Sequence, residues 1–184
     1  MIIIFLGPPY AGKGTQTALL KEKLDLPVFS MGALIREARE TGDESINEAY
    51  ENYALKGLNV PTEIKFSLLK RKMLEAGNNF MLDNFPATKD DLDVFLQFLS
   101  ENNLSVDKVI YLSIGDEEMM RRLTNISRGR ADDKPEIVKS RRQIQDEDRK
   151  PVLDYFRSMG FLREVNGEGS IEEINRKIKE AIND

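Results

Sequence analysis

The strongest constraint on this chain is GPPYAGKGT, residues 7–15, set between an apolar run and a helical pattern. MIIIFL (1–6) reads as a buried strand and TQTALLKEKL (15–24) as the helix that follows it. Gly7-x4-Gly12-Lys13 is the spacing of a phosphate-binding loop, although Gly14 separates Lys13 from Thr15. Glycines let backbone N–H groups turn inward onto phosphate oxygens, and the helix N-terminus adds partial positive charge. Lys13 can reach the β- and γ-phosphates of a nucleotide, and Thr15 can ligate Mg²⁺. A plain glycine-rich turn is the competing reading, and the strand–loop–helix context argues against it.

Further apolar runs predict strands at LPVF (26–29), FMLD (80–83), KVIYLSI (108–114) and LREV (162–165). Helical periodicity fills most of the gaps, at 30–40 behind Ser30 as a cap, 43–56 ending at Gly57, and 61–76 between Pro61 and Gly77. It continues at 88–103, 116–125, 135–159 and 170–183. Pro151 is expected to kink or split the helix at 135–159. Ser170 and Glu173 have the spacing of a capping box. Strands alternating with helices imply an α/β fold with a parallel, doubly wound sheet. The consecutive helices at 30–40 and 43–56, after the second strand, predict a projecting flap.

At 184 residues the chain suits one core domain, enough to bury roughly 70% of its unfolded surface. The absence of Cys and His excludes disulfides, zinc clusters, thiol nucleophiles and every histidine-based triad. A metal would have to be a hard cation held by carboxylates, hydroxyls and phosphates, which favours Mg²⁺ and leaves no place for zinc. The formal net charge of −5 argues against broad binding to nucleic acid or anionic membrane. MIIIFLGPP has no basic n-region and its apolar run is too short to span a membrane, so the cytoplasm is the expected compartment.

Asp83 ends the third strand, whose C-terminal edge belongs near the phosphate loop in a doubly wound sheet. A strand-ending aspartate is often only a turn residue. Beside a phosphate loop it can organise Mg²⁺, largely through water. Residues 121–142 contain Arg121, Arg122, Arg128, Arg130, Arg141 and Arg142. A solvated charged face is the bland reading of such a run, yet phosphoryl transfer needs fixed positive charge that arginine forks supply. Gly129 and the lack of apolar periodicity in 124–134 predict a lid that excludes water, with Asp132 and Asp133 placed to orient Arg130 and Arg141. Thr88-Lys89-Asp90-Asp91 mimics a guanine-reading T-K-x-D motif, but it follows Asp83 too closely for a GTPase.

GPPYAGKGTQ, SMGALIR (30–36), LDNFP (82–86), GRADD (129–133) and Arg141 resemble the adenylate kinase family in order and spacing, over nearly the whole chain. The resemblance implies a P-loop NTPase-like five-stranded parallel core made of 1–29, 61–122 and 135–184. It also implies a helical NMP-binding flap at 30–60 and a short lid at 123–134, in a monomer. The implied reaction is ATP + NMP ⇌ ADP + NDP with Mg²⁺, and AMP is the leading acceptor. By the same resemblance, Tyr10, Ala11, Gly12, Lys13, Gly14 and Thr15 cradle the ATP phosphates, with Arg122 and Gly169 on the ATP side. Lys13, Arg36, Arg130 and Arg141 are the implied catalytic cations. Arg36 would hold the acceptor phosphate, and Leu58, Asn59 and Val60 would line its base pocket.

Departures from the family pattern gather on the acceptor side. The usual G-F-P-R is Asn84-Phe85-Pro86-Ala87 here, so a phosphate-binding arginine is missing. Lys89 is expected to offer a partial replacement as a point charge. Met31 and Ala33 stand where Thr and Asp are usual, Ile126 falls where a lid arginine is common, with Arg128 as its substitute, and Tyr10 replaces a loop glycine. Asp91 occupies the position of the base-reading Gln. It either accepts hydrogen bonds from the acceptor base or closes a Thr88-x-x-Asp91 capping box. CMP, UMP or GMP as acceptor, and a weakly catalytic nucleotide-binding homologue, are the alternatives.

Overall fold

In the computed structural model, which describes residues 1–125 and 133–184, five strands pair in the order β2-β3-β1-β4-β5, all parallel. They are β1 (Ile2–Leu6), β2 (Val28–Ser30), β3 (Phe80–Asp83), β4 (Lys108–Ser113) and β5 (Leu162–Asn166). Every residue of β1 and β3 is buried, as expected of central parallel strands covered on both faces. Side chains alternate across β1. Ile2, Ile4 and Leu6 join the cluster holding Leu82, Phe85, Phe95 and Val152, while Ile3 and Phe5 join Leu20, Met81, Leu112 and Ile178.

The helices are α1 (Lys13–Leu24), α2 (Met31–Glu40), α3 (Glu44–Asn52), α4 (Thr62–Ala76), α5 (Lys89–Glu101), α6 (Asp116–Asn125), α7 (Pro135–Ser158) and α8 (Ile171–Asn183). The chain leaves β1 for β2 on one side of the sheet and leaves β3 for β4 on the other. β1 and β3 are neighbours, so this reversal opens a crevice at their C-terminal ends, where ligands bind in such folds.

Several local expectations change. β2 begins at Val28 and includes Ser30, and the helix expected over 43–56 divides into α3 and a 3-10 turn at Ala54–Lys56. Pro151 neither splits nor ends α7, which stays helical from Pro135 to Ser158. A mid-helix proline costs about 3 kcal/mol. Val152 and Phe156, both buried, each return about 1.5–3 kcal/mol and hold the helix against the core. The capping box of α8 forms as expected: Glu173 N–H donates to Ser170 Oγ at 3.2 Å and Ser170 N–H to Glu173 Oε2 at 2.9 Å. Ser30 precedes α2 without capping it, because its hydroxyl donates to Asp83 instead. Of the expected lid, residues 123–125 belong to the end of α6, and the rest up to 132 lies outside the described residues.

The segment between β2 and α4 docks on α7 through Gly57. A Cβ there would stand 2.9 Å from the backbone N of Arg141, and Gly57 sits at φ +78°. Beside it, Asn59 Nδ2 donates to Asp148 Oδ2 at 2.8 Å. Gly57→Ala is therefore expected to destabilise the protein by about 1–3 kcal/mol in urea unfolding, from left-handed strain and backbone overlap together. Unchanged stability would show that the segment does not approach α7 this closely.

Candidate active site

The turn from β1 into α1 supplies the phosphate loop. Gly7 lies so close to β4 that a Cβ would meet Leu112 O at 2.3 Å, which requires glycine at that position. Gly12 precedes α1 at φ +97° and no side chain caps the helix, so its first N–H groups remain open to anionic oxygens. Tyr10 takes a left-handed backbone conformation, at φ +62°. Such a φ costs about 1–2 kcal/mol. Burying the ring among the second core cluster offsets it by a similar amount. Lys13 Nζ folds back over the loop, donating to Gly7 O at 2.8 Å and Pro8 O at 3.0 Å.

Register then brings β3 alongside. Asp83 pairs with Phe5 of β1 and with Ser30 of β2. Ser30 Oγ donates to Asp83 Oδ2 at 2.9 Å, while Oδ1 is buried and accepts no hydrogen bond from the described residues. A buried, unshared carboxylate oxygen beside a phosphate loop suits a hard cation held through water. Among the described residues no group of three or more acidic side chains gathers to hold a metal. Thr15 and Asp83 both line the same cavity.

A cavity of about 960 Å³ spans this edge of the sheet. On one side it is lined by Tyr10, Ala11, Gly12, Lys13, Gly14 and Thr15, with Arg122 and Gly169. On the other stand Met31, Arg36, Leu58, Asn59 and Val60, with Asp83, Asn84, Ala87 and Arg141 between. Arg36 has no carboxylate partner among the described residues, which leaves its charge for a ligand. Arg141 Nη2 reaches Ala54 O at 3.4 Å, linking α7 to the docked segment. Arg142 turns away to Asp146 and Asp116, at 2.7 and 3.2 Å. Ile126, Arg128, Gly129, Arg130 and Asp132 lie outside the described residues.

Arg122 is held flat against the loop. Its Nη1 donates to Tyr10 O at 3.1 Å, its Nη2 to Gly167 O at 2.7 Å and its Nε to Glu118 Oε1 at 2.6 Å. Hydrogen bonds from Arg121 and Arg122 pull the Glu118 carboxyl down from 4.5 to about 2.

The acceptor-side expectations fare unevenly. Asn84 takes φ +64°, a conformation asparagine tolerates better than most residues, and its buried Oδ1 accepts no hydrogen bond from the described residues. Phe85 and Pro86 are buried and do not line the cavity, and Phe85 packs on Phe66 and Phe95. Lys89 does not replace the missing arginine, because it is exposed and pairs with Asp93 on its own helix at 2.5 Å. Asp91 neither faces the cavity nor closes a capping box. Thr88 Oγ1 does accept its N–H, but its carboxylate takes Thr62 Oγ1 at 2.6 Å, Lys65 Nζ at 2.5 Å and Ala87 N–H at 2.9 Å.

Sequence reasoning missed Lys65, which lines the cavity although only 3% exposed. The signal was present: Thr62, Lys65, Leu69 and Met73 form the buried stripe of α4, so a lysine stands where the helical period demands an apolar residue. Burial pulls its ammonium below the ordinary lysine range, and Asp91 opposes that pull.

A phosphate loop, an acidic strand end and cavity-facing arginines on a parallel sheet define a P-loop nucleotide-binding α/β protein. Comparison with known proteins narrows the class. The adenylate kinase family model matches residues 5–161. An adenylate kinase of Leptospira biflexa is 36% identical over 184 residues, covering 98% of each chain. One of Corynebacterium urealyticum is 36% identical over 177 residues, covering 95% of each, and one of Prochlorococcus marinus is 32% identical over 180 residues, covering 98% and 97%. The chain belongs to the adenylate kinase family. No helix among the described residues is long and apolar enough to cross a membrane.

Glu118→Gln tests the clamp on Arg122. Its carboxyl is lowered on folding, so the stabilising contribution is full above about pH 4.5 and is lost as pH falls toward 2. The urea-midpoint difference between wild type and Glu118→Gln is expected to be largest near neutrality and to shrink by pH 3. The variant is also expected to raise the KM for ATP by less than about tenfold. A pH-independent difference would remove Glu118 from the clamp.

Proposed function

We propose that the chain transfers the γ-phosphoryl group of ATP to the phosphate of a nucleoside monophosphate, with AMP as the leading acceptor and two ADP as products. One observation supports this above all: a single cavity is lined both by the phosphate loop and by Met31, Arg36 and Leu58 to Val60, with Lys13, Asp83 and Arg141 in the same lining. Residues 30–60 act as the acceptor flap beside a core made of the remaining described segments, and the segment after α6 serves as the lid.

In this reading the loop and Lys13 hold the ATP phosphates, and Arg122 packs by the donor base. Arg36 and Arg141 hold the acceptor phosphate, with Arg130 from the lid. An acceptor phosphate oxygen attacks the γ-phosphorus in line as the bond to the ADP oxygen breaks. That oxygen is already ionised, so no general base is needed, and catalysis rests on positioning and fixed positive charge. Thr15 directly and Asp83 through water would hold Mg²⁺, which neutralises charge on the phosphates when bound. The proposed enzyme acts as a monomer in the cytoplasm.

A coupled assay of AMP, CMP, UMP and GMP with ATP tests the reading. AMP turnover is expected, and Lys13→Met is expected to reduce kcat by about 100-fold or more. No turnover with any acceptor would leave a nucleotide-binding protein without this catalysis. Ala87 faces the cavity, so Ala87→Arg is expected to lower the KM for AMP about tenfold by restoring one charge-assisted contact. An unchanged or raised KM would mean that the phosphate is already fully held by other groups.

A further inference from the structure

The buried Lys65–Asp91 pair lies where the acceptor reading above places the nucleotide base. Asp91 is fully buried and both of its oxygens are occupied, Oδ1 by Thr62 and Oδ2 by Lys65 and Ala87 N–H. It has no lone pair turned toward a ligand. Lys65 is the partner that lines the cavity. Asp91 takes one of its three ammonium hydrogens, and no other protein acceptor among the described residues takes the remaining two. A buried ammonium with unpaired donors gains strongly from an acceptor atom delivered by a ligand. We infer that Lys65 is a specificity-determining residue that reads the exocyclic group of the acceptor base and, set against an amide reader, shifts the pocket toward a carbonyl there.

The chemistry follows from what each group offers. An amide side chain carries a donor and an acceptor, which match the amine and ring nitrogen on the edge of adenine. An ammonium carries donors only, and these match two adjacent acceptors, such as the 6-oxo group and N7 of an oxopurine. Adenine and cytosine instead turn an N–H₂ donor toward it, whereas hypoxanthine, guanine and uracil turn an oxygen. Asn84 also lines the cavity, but an amide offers both a donor and an acceptor and so does not reverse the preference. The cavity therefore accepts oxo bases alongside AMP, and relative to an amide-reading pocket the balance shifts toward them by about 10- to 100-fold.

Two nucleotide pairs isolate the exocyclic group most closely: inosine against adenosine monophosphate, and uridine against cytidine monophosphate. The experiment measures kcat/KM for all four with ATP, and their equilibrium binding by calorimetry. It compares wild type, Lys65→Gln, and the double variant Lys65→Met with Asp91→Asn. The double variant removes both charges together, so no uncompensated carboxylate is left buried, and the amide introduced at position 91 can still pair with Thr62 and Ala87 N–H. Both oxo-to-amino ratios are expected to fall by about tenfold or more in the double variant, and Lys65→Gln is expected to move toward AMP. Turnover of AMP with both ratios unmoved in the variants would overturn the role of Lys65 and leave the kinase reading intact. A carbonyl preference in binding that Lys65 controls, without turnover, would overturn the kinase reading and leave the role of Lys65 standing. Neither binding nor turnover of any acceptor would overturn both.

Discussion

The parallel register of β2, β3 and β1 is the constraint on which the rest of this protein depends. It sets Ser30, Asp83 and Phe5 side by side at one edge of the sheet, one residue before β1 ends and the phosphate loop starts. Because the sheet is covered on both faces, its strand ends are where backbone and polar side chains can reach a ligand together. The hydrogen bond from Ser30 to Asp83 then fixes which carboxylate oxygen stays open. A slip of one residue would turn Asp83 onto the other face of the sheet and remove it from the loop.

Charge around the cavity is arranged by the same economy. Arg142 is engaged by Asp116 and Asp146, whereas Arg36 has no carboxylate partner among the described residues. Arg122 lies between these cases, with Glu118 and two backbone carbonyls holding its plane while one face stays by the cavity. Arginines left toward the cavity are thus separated from those that tie helices together. The buried Lys65–Asp91 pair is the costliest member of the set, since both charges leave water. Two added hydrogen bonds, from Thr62 and from Ala87 N–H, help to offset that cost at Asp91.

Much of the architecture was legible in the chain. Continuous apolar runs marked the strands because central parallel strands are buried on both faces, and helical periods located the helices to within a few residues. The errors fell where a side chain had two possible employers. Ser30 looked like a cap and serves Asp83; Asp91 looked like a cap or a base reader and serves Lys65. Pro151 looked like a break, but core contacts at Val152 and Phe156 outweigh a local defect. Lys89 looked available to the cavity, and Asp93 one turn along its helix captures it.

By itself the sequence determined the alternating α/β order, the phosphate loop from Gly7 to Thr15, and the lack of any Cys or His side chain. Those depend on residue type and short-range spacing, which the chain states directly. Only the tertiary structure decided which charged side chain of the buried pair borders the cavity. Lys65 and Asp91 are 26 residues apart on different helices. Their pairing, and which partner faces the cavity, follows from how α4 and α5 pack rather than from any local pattern.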